Sequence, residues 1–233
     1  MNKQLSYLTE LRRRIGWSLV VWLLVLAPLL YYSNIVYYWF ALPLIQLLPT
    51  NGHLVTTKIT SSFTTPFQLT CMLSLWIMMP FLLYQIWGFI APALYPKERK
   101  LLLPLVSASV ILFYLGLLFA YFIVCPMALQ FFIYLTPIGI TVMTDIQSYL
   151  DFVLSLLFAF GIAFQSPVIT WVLLSTGIVT VSQLQKSRPY VIVLAFVLGM
   201  LLTPPDVVSQ ILLALPLWGL FELGLYLFIM SKR

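Results

Sequence analysis

The chain has 233 residues, of which 62% are hydrophobic and only 8% charged, with a net charge of +6. A soluble domain carries about a quarter of its residues charged, so soluble enzymes, nucleic-acid-binding modules and disordered regulators do not fit this composition. An integral membrane protein does, and at about 20 residues per span plus short loops the length holds roughly six to eight helices.

Taken in order, Arg12, Arg13 and Arg14 precede the first apolar run, residues 15–39, with Pro28 near its middle. That run lacks a small-residue cleavage site and is long enough to remain as a span. Residues 43–66 read as a polar loop. Pro43, Pro49, Asn51, Gly52, His53 and Lys58 precede a Thr/Ser-rich stretch ending at Pro66, with room for a short helix near 44–48. The second run, 67–94, contains Pro80 and Pro92 and leads into the charged turn Pro96-Lys97-Glu98-Arg99-Lys100. The third run is 101–124, and 126–149 reads as a mixed loop whose segment 131–134 is apolar enough for a membrane interface. The fourth run, 150–174, is interrupted by Gly161, Gln165 and Pro167, and 177–188 is polar. The fifth and sixth runs, 190–203 and 207–228, meet at Thr203-Pro204-Pro205-Asp206.

The charges test this count. With the N-terminus cytoplasmic, all of the twelve Lys and Arg residues except Lys58 fall on the inner side, while Asp145, Asp151 and Asp206 fall outside. Such a Lys/Arg bias is what sets membrane topology. The expectation is an all-α integral membrane protein: one membrane domain, 1–233, of six transmembrane helices with both termini inside. The fifth span rises only about 21 Å against a hydrocarbon core of roughly 30 Å, so it must thin the bilayer or lean on neighbours. Fifteen prolines, several within spans, predict bent helices.

Catalytic signatures are missing. There is no GxxxxGK[ST] loop, HExxH helix or GxSxG elbow. His53 is the single histidine, and the three aspartates stand at span ends rather than forming an intramembrane dyad. No enzyme activity, metal or cofactor is expected. Cys71 and Cys125 fall near the outer ends of their spans, where they read either as two buried small apolar residues or as a geometrically conceivable disulfide. Gln165, Gln210 and Glu222 are the polar groups within spans, and polar groups in hydrocarbon are costly enough to invite a role. On the inner face, Glu10 and Glu98 are embedded among basic residues. They read either as local charge pairs on a solvated surface or as acceptors for a cationic partner, most naturally guanidinium groups.

At these residues the chain resembles the TatC family, the core membrane subunit and signal-peptide receptor of the twin-arginine protein translocase. The matching stretches are Leu8-Thr9-Glu10-Leu11-Arg12-Arg13-Arg14, residues 85–99 (QIWGFIAPALYPKER), residues 160–167 (FGIAFQSP), Lys186-Ser187-Arg188-Pro189-Tyr190 and Leu202-Thr203-Pro204-Pro205-Asp206-Val207. The resemblance implies six spans, cytoplasmic termini and a concave cup in a bacterial inner membrane. It also implies a site for twin-arginine signal peptides at Glu10, Arg12, Phe89 and Glu98, where Glu98 takes the arginine pair, Glu10 contributes nearby and Phe89 packs beside it.

The implied partners are single-span TatA- and TatB-type proteins, folded cargo bearing those signal peptides, membrane lipid and further copies of the chain, without nucleic acid. TatB-type contacts are expected around Met200 and TatA-type contacts near the last span, with Gln210 in partner docking. Pro43 and Asp206 match outer-side assembly positions. Export would draw on the proton-motive force. Two positions depart from the family pattern: Gln165 replaces a glutamate and Tyr7 a histidine, and a glutamine cannot ionise. The rival classes are a membrane assembly factor without transport and a secondary transporter for a small solute. The transporter needs a convergent polar midplane site, usually at a repeat interface. Only Gln165 comes near one, and no repeat is visible.

Overall fold

The structure, a computed structural model, describes residues 2–47, 53–56, 58, 60–94, 102–134, 143–202 and 207–231. Glu98 and Asp206 lie outside the described residues. The described chain is almost entirely helical. Its helices are α1 (Asn2–Tyr31), α2 (Ser33–Leu47), α3 (Ser61–Ile77), α4 (Met79–Leu94), α5 (Leu102–Phe119), α6 (Cys125–Tyr134), α7 (Ile146–Ala163), α8 (Ser166–Ser175), α9 (Val181–Lys186), α10 (Arg188–Leu202) and α11 (Val207–Ser231). Two three-residue strands, β1 (His53–Val55) and β2 (Met143–Asp145), are the exceptions among the described residues.

Among the described residues, four stretches are long and apolar enough to cross a membrane: Thr9–Tyr31, Leu103–Phe131, Ile146–Ser175 and Leu213–Met230. The α3–α4 pair makes a fifth if its 51° bend lies within one span. α10 is apolar but shorter. Large apolar side chains stand exposed on these helices, Leu24, Phe122 and Val193 among them. In water this would be an aggregating surface, whereas lipid accepts it, because helical backbone groups are satisfied internally.

The chain divides into two compact units. The first takes Met1–Thr50, Leu54–Val110 and Asp145–Gln147. Here α1 packs along α3 and α4, with Leu26, Leu69, Trp76, Leu83 and Trp87 buried. Two of its indoles find partners, as buried polar tips must. Trp22 Nε1 donates to Ser74 Oγ at 2.8 Å, and Ser74 Oγ donates to the Cys71 carbonyl at 2.7 Å. Trp87 Nε1 donates to Ser109 Oγ at 2.8 Å, tying α4 to α5. The bend at Met78 has a plain cause. Pro80 has no N–H to offer the carbonyl four residues back, so Met78 closes α3 on Ser74 O while its own carbonyl receives Phe81 and Leu82.

The second unit takes Asn51–His53, Ile111–Thr144 and Ser148–Arg233. α5 and α7 meet at glycines. A Cβ on Gly161 would stand 2.7 Å from the Phe113 ring, and one on Gly116 would stand 2.8 Å from the Phe160 carbonyl. A Cβ on Gly224 would stand 2.6 Å from Pro167 Cα, so α11 rests on the first turn of α8. Leu174, Leu225 and Phe228 form a core cluster covered by Trp171, Val181, Leu184 and Ile229. α9 opens on a capping box, with Gln183 N–H on Thr180 Oγ1 and Thr180 N–H on Gln183 Oε1.

Three element boundaries differ from the sequence expectation. Residues 126–134, read as loop, are helical as α6. The chain passes Pro126 through a π-helical turn, Ala120–Val124, in which the Cys125 N–H reaches back to Ala120 O. One extra residue in the turn absorbs the donor that proline lacks. The run 15–39 is divided at Tyr32, and α2 continues to Leu47, so Pro43 falls within a helix rather than opening a loop. α3 begins at Ser61, ahead of Pro66, with Thr64 N–H bonded to Thr60 O.

Candidate functional site

In the first unit, Arg14 is the hub of a polar cluster joining α1 to α4. Its Nε and Nη2 both donate to Glu10 Oε1, at 3.0 and 2.7 Å, one helical turn back. Nη1 donates to Gln85 Oε1 at 2.8 Å and more distantly to the Gln85 carbonyl at 3.4 Å. Nη2 also donates to the Gly88 carbonyl at 3.2 Å. That carbonyl is available for a sequence reason: its helical donor would be the N–H of residue 92, which is proline. Gly88 also makes room, since a Cβ there would stand 3.0 Å from Nη1.

The exposure of this cluster sets what it can bind. The Arg14 side chain is 22% exposed and that of Glu10 is 37%. Both Arg14 bonds fall on Glu10 Oε1, so among the described residues Oε2 remains an acceptor for an incoming cation. Arg12 is exposed on the same helix, and Phe89, the residue after Gly88, is half-buried. Of the four residues expected in one binding site, Glu10, Arg12 and Phe89 are therefore placed in the first unit. Glu98 lies outside the described residues.

In the second unit the polar groups fall at separate places. Gln165 is 8% exposed. It sits in the turn between α7 and α8, where its N–H bonds Ile162 O and its carbonyl receives Ile169 N–H. Glu222, on α11, pairs with Arg188 at the start of α10: Nε stands 2.7 Å from Oε1 and Nη2 donates to Oε2 at 2.8 Å. This is an ion pair with one hydrogen bond, since the buried Oε1 accepts none among the described residues. Met200 is exposed on α10 and Gln210 half-buried on α11. Gly199, beside Met200, brings the two helices close: a Cβ there would lie 3.4 Å from the Gln210 carbonyl oxygen, in ordinary van der Waals contact. Both cysteines are free thiols, Cys71 half-buried and Cys125 buried. Among the described residues no three His, Cys, Asp or Glu side chains gather as a metal site.

Sequence reasoning missed Arg14, Gln85 and Arg188. The first had a local signal, because Glu and Arg four apart on a helix are neighbours. Gln85 lay within a family-like stretch, but its role depends on how α4 is rotated against α1. Arg188 and Glu222 are far apart in the chain, and only folding brings them together.

The family model for "Sec-independent protein translocase protein (TatC)" matches residues 6–216. A Sec-independent protein translocase protein TatC of Azotobacter chroococcum is 51% identical over 95% of this chain and 87% of its own length. That of Escherichia coli K12 is 47% identical over 95% of this chain and 86% of its own. A crystal structure of the twin arginine translocase receptor TatC superposes with a TM-score of 0.87 at 38% identity, covering 97% of this chain and 100% of that one. A sequence match of this length and a shared backbone of this closeness place the chain in the TatC family of Sec-independent protein translocase proteins.

Proposed function

We propose that this chain is the core subunit of a twin-arginine translocase, receiving twin-arginine signal peptides at its cytoplasmic face. The observation that carries the reading is the backbone match to a twin arginine translocase receptor over 97% of the chain. The partly exposed Glu10 carboxylate, set among arginines, supplies the matching chemistry. Glu98 takes the arginine pair with Glu10 contributing nearby, Arg12 belongs to the same site, and Phe89 packs beside it. Paired guanidinium–carboxylate bonds supply specificity, because lysine keeps the charge but loses the planar fork.

The chain works in this proposal as six spans in a bacterial inner membrane with both termini cytoplasmic, and α10 is the short fifth span. TatB-type helices pack near Met200, and TatA-type helices pack near α11 and Gln210. Pro43 and Asp206 serve assembly on the outer side. Several copies gather in the working complex, which moves folded cargo on the proton-motive force without chemistry at a catalytic centre.

The test is binding of a fluorescent twin-arginine signal peptide to the detergent-solubilised chain, with a twin-lysine peptide as control. The expected result is a strong preference for arginine that Glu98→Ala removes, together with loss of export in cells while the variant still inserts. Equal binding of the two peptides by the unaltered chain, or normal export by Glu98→Ala, overturns the reading.

A further inference from the structure

We propose that Glu10 Oε1, Gln85 Oε1 and the carbonyls of Gln85 and Gly88 form a guanidinium cradle that Arg14 fills in the resting protein and that a signal-peptide arginine enters by displacing it. This rests on the receptor reading above, in which Glu10 contributes beside Glu98, and adds to it a resident competitor at the Glu10 end.

The geometry points this way because four acceptors from two helices converge on the Arg14 fork. One carboxylate oxygen, one amide oxygen and two backbone carbonyls, drawn from α1 and α4, converge on Nε, Nη1 and Nη2. One negative charge meets one positive charge. Two features make this a built pocket rather than a casual ion pair. Pro92 leaves the Gly88 carbonyl without its helical donor. Gly88 lacks the Cβ that would crowd the fork. A lysine offers a point charge and cannot span these acceptors in one plane.

Exchange conserves both charge and hydrogen bonds: one guanidinium leaves as another enters, and the freed Arg14 joins the exposed Arg12 and Arg13 at the surface. Arg14 is tethered to its own helix, so it competes at a high effective concentration. A single arginine on a free peptide is a poor challenger. A second arginine becomes an equal one once its neighbour is anchored elsewhere on the protein, because it too is then tethered. The cradle thus supplies a physical reason for a requirement for two arginines.

The test measures binding of three fluorescent peptides, Arg-Arg, Arg-Lys and Lys-Lys, to the full chain and to Arg14→Gln and Arg14→Lys. Emptying the cradle should tighten Arg-Arg binding by about fivefold, the scale of one net hydrogen bond. It should help Arg-Lys still more, because displacement is no longer needed, and Lys-Lys least. Arg14→Lys keeps the charge beside Glu10 while releasing the Gln85 and Gly88 acceptors, so it should shift affinity in the same direction by less. It carries the test alone if Arg14→Gln does not fold. Unchanged or weaker Arg-Arg binding in the folded variants overturns the cradle. An unaltered chain that binds Arg-Arg and Lys-Lys equally overturns the receptor reading instead, which separates the two failures.

Discussion

Two arginine–glutamate pairs, one in each unit, use the same residue types to opposite ends. Arg188 and Glu222 meet end to end, with Nε 2.7 Å from Oε1 and Nη2 donating to Oε2, and Oε1 is buried and accepts no hydrogen bond among the described residues. Arg14 crowds two N–H groups onto a single oxygen of Glu10 and spends the rest of its fork on Gln85 and Gly88. The first pair joins two helices, and its unbonded oxygen is buried out of reach of a ligand. The second leaves Glu10 Oε2 available and builds a pocket that fits any guanidinium. Whether an acidic residue can recognise a ligand therefore depends less on its charge than on which of its lone pairs the fold has used or buried.

The comparison breaks most visibly on truncation. Arg14→Ala strips donors from a half-buried carboxylate, an amide and a carbonyl whose i+4 donor is replaced by Pro92, and should cost about 2 kcal/mol, the range for hydrogen bonds to charged groups. A thermal melt of the detergent-solubilised chain reads the loss. A melt unchanged by the substitution would mean the cluster holds nothing. Stability and peptide affinity should move in opposite directions in Arg14 variants, which is the signature of a displaced resident rather than of a damaged scaffold.

Charge reversal sharpens the contrast. Arg188→Glu combined with Glu222→Arg should recover most of the stability lost by either change alone, because the two side chains bond each other and no third residue among those described. Glu10→Arg combined with Arg14→Glu should not recover, because position 14 must present donors to Gln85 and Gly88. Equal recovery at both sites would erase the distinction. Arg188→Ala should cost at most about 1 kcal/mol, as exposed pairs do, since the Arg188 side chain is 45% exposed. A larger loss would show that this pair, not packing, holds α10 to α11.

Much of this was legible in the chain. The apolar runs located the long helices, and the basic residues marked Glu10 as a candidate acceptor. The misreadings have local causes. Pro126 looks like a helix terminator, but a π-helical turn before it absorbs the missing donor. The Thr/Ser-rich approach to Pro66 looks like loop, yet α3 has already begun at Ser61, and Pro66 lies within it. At the site, Arg14 looked like one of three equivalent arginines. It is distinguished from Arg12 and Arg13 only by facing α4, which is a matter of helix rotation and not of composition.

The finest test is Gly88→Ala, where two small terms oppose each other. Alanine in a helix interior is favoured over glycine by about 1 kcal/mol. Against this, the new Cβ would stand 3.0 Å from Arg14 Nη1, so the fork must retreat by a few tenths of an ångström. The side chain is flexible at that end, and a displacement off its rotamer costs about 0.5–1.5 kcal/mol. The thermal midpoint should hardly move. Peptide affinity should nonetheless change, because a loosened Arg14 is easier to displace, while the same Cβ narrows the space for the arginine that replaces it. Weaker Arg-Arg binding at unchanged stability would mean that the entering guanidinium occupies the space Arg14 leaves. Affinity that stays constant would place the peptide's arginine on Glu10 Oε2 alone, outside the cradle.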